Sequence, residues 1–567
     1  MTRKKRIVIG FSDFRQIIEA GGYFVDKTLL IKEVIDNSHQ VMLLPRPRRF
    51  GKTLNLSMLR YFFDVAEKDT AQLFEPFLIW KEAAYYTQQQ GKYPVIHLSL
   101  KGGKATNFKK SEAGIFNILT SVYRNHAWLL QKDVLTESEQ AEFQAILHKT
   151  ADATTYEFCL KNLSEYLHRF YGEQVIILMD EYDAPIHTGY YHAYYEEIIA
   201  LMKSLMGNTF KDNPHLHKGV ITGILRIAKE SIFSDLNNPG IFTILSYDFA
   251  DKFGFTEAEV QQLLADFDLS AHYAKVKEWY DGYHFGESQH LYNPWSVINY
   301  VDKSREGFKT WWVNTSSDDL IKAQLTAKNA TEVRNNINNL LEGKPIKKMI
   351  AENIVFSDFK RNKELIWSLL VFSGYLNPVK APTGFAYYLS IPNYEIHTLF
   401  KKIILEWLQT EVKLSYDTLV AMVESLTNNR LQEFERHFKT IMGDTFSYFD
   451  VNTEPERVYQ AYVLGLLGML SDTYIIKSNK ESGAGRYDIL LLPRDITRYG
   501  IIMEIKQLDK TAGKARIQKQ QQAALQQIAT TQYYKELVAH KVKNRIELSL
   551  VFVGKEVFIK AYSTGSL

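Results

Sequence analysis

The chain has 567 residues, more than one hydrophobic core can serve, and a prior of roughly 100 to 200 residues per domain calls for about three or four units. Apolar residues make up 46% and charged residues 23%, which excludes disorder and fibrous repeats, and a net charge of +3 excludes a uniformly basic nucleic-acid coat. The single cysteine, Cys159, excludes an intrachain disulfide and a Cys-rich zinc site and suits a reducing compartment, so a bound metal must take oxygen or histidine ligands.

The basic start, Met1 to Arg6, is followed only by Ile7-Val-Ile before Gly10, too short for the apolar region of a signal peptide. No run approaches the roughly 18 apolar residues of a membrane helix, so the expected location is cytoplasmic, with no membrane partner. From about residue 24 to 250, short β-rich runs alternate with longer helical patterns, which predicts an α/β unit with a parallel sheet. The strand candidates are Val41 to Leu44, Val95 to Leu98, Val175 to Met179 and Gly219 to Thr222.

Gly51-Lys52-Thr53 lies between the first of these strands and the helical run Leu54 to Arg60, the context of a P-loop. The backbone of Arg49, Phe50, Gly51 and Leu54 would hold phosphates at the helix N-terminus, Lys52 would reach the β and γ oxygens, and the Thr53 hydroxyl would bind Mg²⁺. The general consensus places glycine five residues before Gly51, where this chain has Arg46. Arg46, Arg48 and Arg49 read either as phosphate contacts or as a nucleic-acid patch.

The strand Val175 to Met179 ends in Asp180 and Glu181, as a Walker B element does. Asp180 would hold Mg²⁺ and Glu181 would polarise the attacking water. Thr222 at the end of its strand matches the place of a γ-phosphate sensor, and Arg226 could stabilise transferred charge. A glycine turn or an acidic strand end alone is ordinary loop chemistry; together, in this order, they point to a nucleotide.

Thr256 and Glu259 form a capping box, and Asn293 before Pro294 reads as a helix start. The stretch from about 290 to 450 looks mainly helical, with Trp311-Trp312 as a packing anchor. The last stretch is a separate α+β unit: a helix around Arg457 to Leu470, strands at Tyr487 to Leu492 and Ile501 to Ile505, a long polar helix and a final strand, Leu548 to Val553. The expected domains are 1–285, 286–450 and 451–567.

Within the last unit, side chains alternate at period two, so Glu504 and Lys506 share one face and Asp488 on the neighbouring strand can meet them. Two carboxylates and the main-chain carbonyl of Ile505 make an oxygen cage suited to Mg²⁺, with Lys506 orienting a water. Glu411-Val-Lys413 has the same spacing but lies in a helical pattern, where i and i+2 do not face each other. The competing reading of the hairpin is a solvated edge with a salt bridge. Glu481 and Glu456 are further ligand candidates or simply exposed acids. Lys510, Lys514, Arg516 and Lys519, with Gln527 and Tyr533, read either as a phosphate-backbone surface or as a solvated helix face.

The ordered series Tyr23 to Thr28, Arg46 to Thr53, Asp180 to Asp183, Thr222 to Arg226, Tyr280 to Tyr283, Tyr292 to Ser296, Gly485 to Asp488, Glu504 to Lys506 and Gln527 to Tyr533 resembles the bacterial AAA-ATPase-like proteins fused to a PD-(D/E)XK nuclease domain. In that family the arginine-rich form of the P-loop is usual. The resemblance implies a P-loop NTPase fold, a helical middle and a C-terminal restriction-endonuclease-like fold. It also implies ATP and Mg²⁺ as cofactors, nucleic acid, chiefly DNA, as partner, and phosphodiester cleavage gated by nucleotide. A homo-oligomer is left open, and the alternative is a nucleotide switch whose C-terminal unit binds nucleic acid or protein without cutting.

Overall fold

A computed structural model describes residues 6–67, 70–227, 239–312, 331–341, 343–353, 362, 364–411, 416–445, 456–482, 485–509, 511–554 and 556–564. The chain divides into two compact units, Met1–Ile321 with Lys347–Ile396, and Lys322–Ile346 with His397–Leu567.

The first unit is built on β1 (Val41–Pro45), β2 (Val95–Ser99), β3 (Val175–Asp180), β4 (Leu216–Gly223) and the two-residue β5 (Gly240–Ile241). Their order is β2-β3-β4-β1-β5 and every pairing is parallel. β1 and β3 are buried at every position, which is why they read as continuous apolar runs rather than alternating ones. Because all strands run the same way, their carboxyl ends gather at one edge, and the loops after β1, β3 and β4 become neighbours.

The loop after β1 is held by its first residue. Arg46 is fully buried, and its guanidinium donates to the carbonyls of Pro45 (2.9 Å), Phe242 (2.6 Å) and Phe249 (3.0 Å). The same group lies 4.9 Å from the Phe253 ring and 5.7 Å from that of Phe285. The Arg46 side chain is therefore neither a phosphate contact nor part of a nucleic-acid patch, the two roles the sequence left open. It acts as an internal post that supplies donors to carbonyls no strand satisfies. Burial pushes its ionisation down to about 9, with Glu33 pulling the other way.

The following stretch carries the hairpin β6 (Tyr283–Phe285) and β7 (Ser288–Leu291), then β8 (Ile346–Met349), β9 (Asn377–Lys380) and β10 (Ala386–Ser390) in a small sheet of order β8-β10-β9. Among the described residues, the rest of the middle is mainly helical, as expected. The Thr256 and Glu259 box caps the helix Glu257–Asp266, and the Asn293 side chain accepts from the Ser296 amide at 3.2 Å to start the helix Pro294–Asp302.

The second unit holds β11 (Tyr474–Ser482), β12 (Gly485–Pro493), β13 (Gly500–Leu508), β14 (Arg545–Val553) and β15 (Glu556–Thr564), in that spatial order. Only β13 and β14 pair in parallel, joined through the crossover helix Lys514–Thr530. One face of the sheet, with Ile489, Leu491, Met503, Ile505, Leu548 and Leu550, packs with Leu419, Met422, Phe434, Phe438 and Tyr459. The other, with Leu490, Leu492 and Ile502, packs with Ile528, Tyr533 and Leu537. The helices Tyr416–Thr427 and Leu431–Thr445, which the sequence assigned to the middle region, thus share their core with the C-terminal sheet. An apolar sheet face needs a cover, and these helices supply it.

Removing the Arg46 post leaves three buried carbonyls without their donor and opens a cavity. Arg46→Ala is expected to destabilise the first unit by about 3 kcal/mol, read as a lowered urea midpoint; an unchanged midpoint would refute this role.

Candidate functional site

In the first unit the chain turns sharply after Arg46. Arg49 and Gly51 take left-handed backbone conformations, φ 65° and 83°, and Gly51 leads directly into the helix Lys52–Phe63. Left-handed φ is natural for glycine and, for a residue such as Arg49, costs of order 1 kcal/mol that the surroundings must supply. They do so through Phe50, which is buried with its ring 5.0 Å from Tyr283 and 5.2 Å from Phe285. Phe50 is thus the anchor of the turn, and only its backbone remains for a ligand. The Arg49 guanidinium stacks 4.2 Å from the Trp295 ring.

Lys52 donates from its ammonium to the carbonyls of Arg46 and Pro47, both at 2.8 Å, closing the loop on itself. Burial pushes its ionisation down to about 8 against the pull of Asp180, Asp183 and Glu181. Asp180, at the end of β3, is 1% exposed. It accepts from the hydroxyls of Thr53 and Thr222, both at 2.6 Å, and from the amide of Glu181 at 2.9 Å. One carboxylate therefore joins the loop after β1 to the ends of β3 and β4.

Glu181 also adopts a left-handed φ, 50°, and its carboxylate lies 3.6 Å from the ammonium of Lys104. Asp183 accepts from the amides of Ile224 (2.8 Å) and Leu225 (3.0 Å). Burial works against its charge, but His187 and these amides outweigh it and hold the carboxyl down at about 2. Tyr182 donates to the Leu225 carbonyl at 2.6 Å.

A cavity of about 910 Å³ opens at this strand edge, lined by Arg49, Phe50, Gly51, Lys52, Thr53 and Leu54 and by Asp180 and Glu181. Thr222 and Arg226 are not among its lining residues. Thr222 stands behind Asp180, and Arg226 lies further along the loop after β4, beside the buried Tyr182. Sequence reasoning missed Lys104 and Asp183 as parts of this site. The signal for Lys104 was its glycine-containing loop directly after β2, since parallel strands deliver such loops to one edge.

In the second unit, β12 and β13 pair through Ile489 with Met503, Leu490 with Ile502 and Leu491 with Ile501. Just beyond this ladder the Asp488 carboxylate accepts from the Ile505 amide at 2.7 Å, between Glu504 and Lys506. Glu504 is 1% exposed, and the Lys506 ammonium donates to it at 2.8 Å. The three groups thus meet on one short piece of strand, and Glu504 and Lys506 point the same way. The Ile505 side chain lies in the core behind them. Gln460 donates to the Asp488 carbonyl at 2.7 Å, which ties the preceding helix to this strand end.

Glu481 sits on β11 opposite Arg486, but its side chain, like those of Glu456 and Lys510, lies outside the described residues. Among the described residues no group of three or more His, Cys, Asp or Glu side chains is placed to hold a metal ion. Two carboxylates with main-chain oxygen form a partial donor set that fits a hard divalent cation sharing its remaining positions with water and phosphate. Lys514, Arg516 and Lys519 are exposed on the crossover helix, and Gln527 donates to the Tyr533 hydroxyl at 3.2 Å.

The fold is an α/β unit with a parallel sheet, followed by a unit built on a mixed sheet. Residues 8–233 match the family model of predicted AAA-ATPases and residues 454–562 that of the PD-(D/E)XK nuclease superfamily, so the chain carries the first domain followed by the second. It is also similar to an uncharacterized protein in the vnfD 5' region of Azotobacter chroococcum mcd 1, 28% identical over 336 residues, which is 58% of this chain and 58% of that protein. No described helix is long and apolar enough to cross a membrane.

The Lys52 value has a consequence for ligand binding. A polyphosphate holds Lys52 charged, whereas the free site releases its proton above about pH 8. Affinity for ATP is therefore expected to be flat below that pH and to fall by up to about tenfold per unit above it, with proton uptake on binding. Calorimetry in buffers of different ionisation heat reads this directly, and binding without proton uptake at about pH 9 would contradict it.

Proposed function

We propose that the protein is an ATP-binding, Mg²⁺-dependent deoxyribonuclease of the cytoplasm, in which nucleotide state in the first unit gates DNA cleavage in the second. The observation that carries the cleavage reading is the meeting of Asp488, Glu504 and Lys506 at the open end of the β12 and β13 ladder.

In the first unit, backbone amides from Arg49 to Leu54 receive the phosphates at the start of the helix Lys52–Phe63, where the helix dipole favours negative charge. Lys52 exchanges its two loop carbonyls for phosphate oxygens. Thr53 and Asp180, already in contact at 2.6 Å, would hold the Mg²⁺ that accompanies ATP. Thr222 keeps Asp180 oriented, and Glu181 accepts a proton from the attacking water while Lys104 steadies its carboxylate. Arg226 contributes only through the end of β4.

In the second unit, Asp488, Glu504 and the Ile505 carbonyl would hold the catalytic cation. When bound, a divalent cation neutralises the scissile phosphate and makes a nearby water more acidic. Lys506, which rests on Glu504 at 2.8 Å, would orient the water and offset the charge that builds up at phosphorus. The Lys514, Arg516 and Lys519 face takes the DNA backbone without reading sequence.

The test incubates the full chain with linear and circular DNA and Mg²⁺, with and without ATP. Glu504→Ala is expected to lose cleavage by at least about a hundredfold, and Lys52→Ala to cut without responding to ATP. Equal cutting by wild type and Glu504→Ala would overturn the nuclease reading; an intact ATP response in Lys52→Ala would overturn the gate.

A further inference from the structure

The outer edge of the phosphate loop is gripped by residues far along the chain. The Trp312 indole donates to the Arg48 carbonyl at 3.1 Å, and the Trp312 ring packs 4.8 Å from Tyr375. Pro47 abuts Gly374, where an added Cβ would meet its ring at 2.9 Å. Trp295, under the Arg49 guanidinium, donates its indole N–H to the Trp311 carbonyl at 3.1 Å.

Both tryptophans hang on Glu395. One oxygen of this fully buried carboxylate accepts from the Trp312 amide at 2.7 Å, and the other accepts from the Ser296 hydroxyl, next to Trp295, at 2.7 Å. Burial pushes the Glu395 carboxyl up to about 7, partly offset by these donors. A carboxylate is seldom taken fully out of water without a task that needs its two acceptors.

The task follows from what a nucleotide does to the loop. In the free loop, Lys52 braces the carbonyls of Arg46 and Pro47 from inside. Binding phosphate draws that ammonium away, and the loop loses its internal brace at the moment its amides must be in register with the phosphates. The external brace, from Trp312 to the adjacent Arg48 carbonyl, does not depend on Lys52 and remains.

We propose that Glu395 is a positioning residue for the nucleotide site, acting through Trp312 and Trp295 on the outer edge of the phosphate loop. It also lies in the first turn of the helix Tyr394–Glu411, which continues past Ile396 from the first compact unit into the second. This inference rests on the nucleotide-binding reading of the first unit.

The test measures ATP affinity of the full chain by calorimetry for wild type, Lys52→Ala, Trp312→Phe, Glu395→Ala and Glu395→Gln. Trp312→Phe keeps an aromatic ring at this position and removes the indole donor, together with part of the ring volume. It and Glu395→Ala are expected to weaken ATP binding about tenfold, the scale of one hydrogen bond. Glu395→Gln is expected to bind within about twofold of wild type, because its amide oxygen can accept from Trp312 while its NH₂ donates to Ser296. A purely structural role would lower the thermal midpoint of Glu395→Ala and leave affinity untouched, and that outcome overturns the proposal.

If wild type and Lys52→Ala bind ATP equally, the nucleotide site itself is misassigned and the proposal falls with it. If Lys52→Ala loses binding while Trp312→Phe and Glu395→Ala keep it, only the positioning role is refuted.

Discussion

The structure is governed by the cost of taking charge out of water. Asp180, Glu504, Arg46 and Glu395 are each at most 1% exposed, and each would cost several kcal/mol if it were buried alone. None is alone: Asp180 has two hydroxyls and an amide, Glu504 an ammonium, Arg46 three carbonyls, and Glu395 an amide and a hydroxyl. Glu504 takes its partner from its own strand, but the partners of Asp180, Arg46 and Glu395 come from distant parts of the chain, so these three buried charges force distant segments into one arrangement. The positions of the loops follow from that requirement.

The two candidate sites use the same device at different sheet edges. In the first unit, a parallel sheet gathers strand ends, and a shared carboxylate locks three of them together around the start of a helix. In the second, an antiparallel ladder stops short, and the freed strand end turns an acid toward the backbone between another acid and a lysine. In both, an ammonium rests on protein oxygens: Lys52 on two carbonyls, Lys506 on Glu504. In the proposed function, phosphate would draw Lys52 off its carbonyls and a cation would displace Lys506 from Glu504.

What was legible in the sequence was whatever depends on local periodicity. The fully buried runs of β1 and β3, the acidic end at Asp180 and Glu181, and the i, i+2 pairing of Glu504 with Lys506 follow from strand geometry alone. Arg46 was not legible. It reads as a departure from the glycine of a general P-loop, and its function depends on carbonyls of Phe242 and Phe249 some two hundred residues on. The same holds for Glu395, whose partners Ser296 and Trp312 lie 99 and 83 residues before it and meet it only because the fold brings the helix Tyr394–Glu411 back to them. The helices between 416 and 445 carried an apolar face, but nothing local says which sheet it covers.

The most direct measurement is the titration of Mn²⁺ onto the full chain, followed by its paramagnetic resonance signal, with and without a non-hydrolysable ATP analogue. The account predicts one tight site in the absence of nucleotide, lost in Glu504→Ala, and a second that appears only with the analogue and is lost in Asp180→Asn. Binding that is the same in wild type and both variants would contradict it.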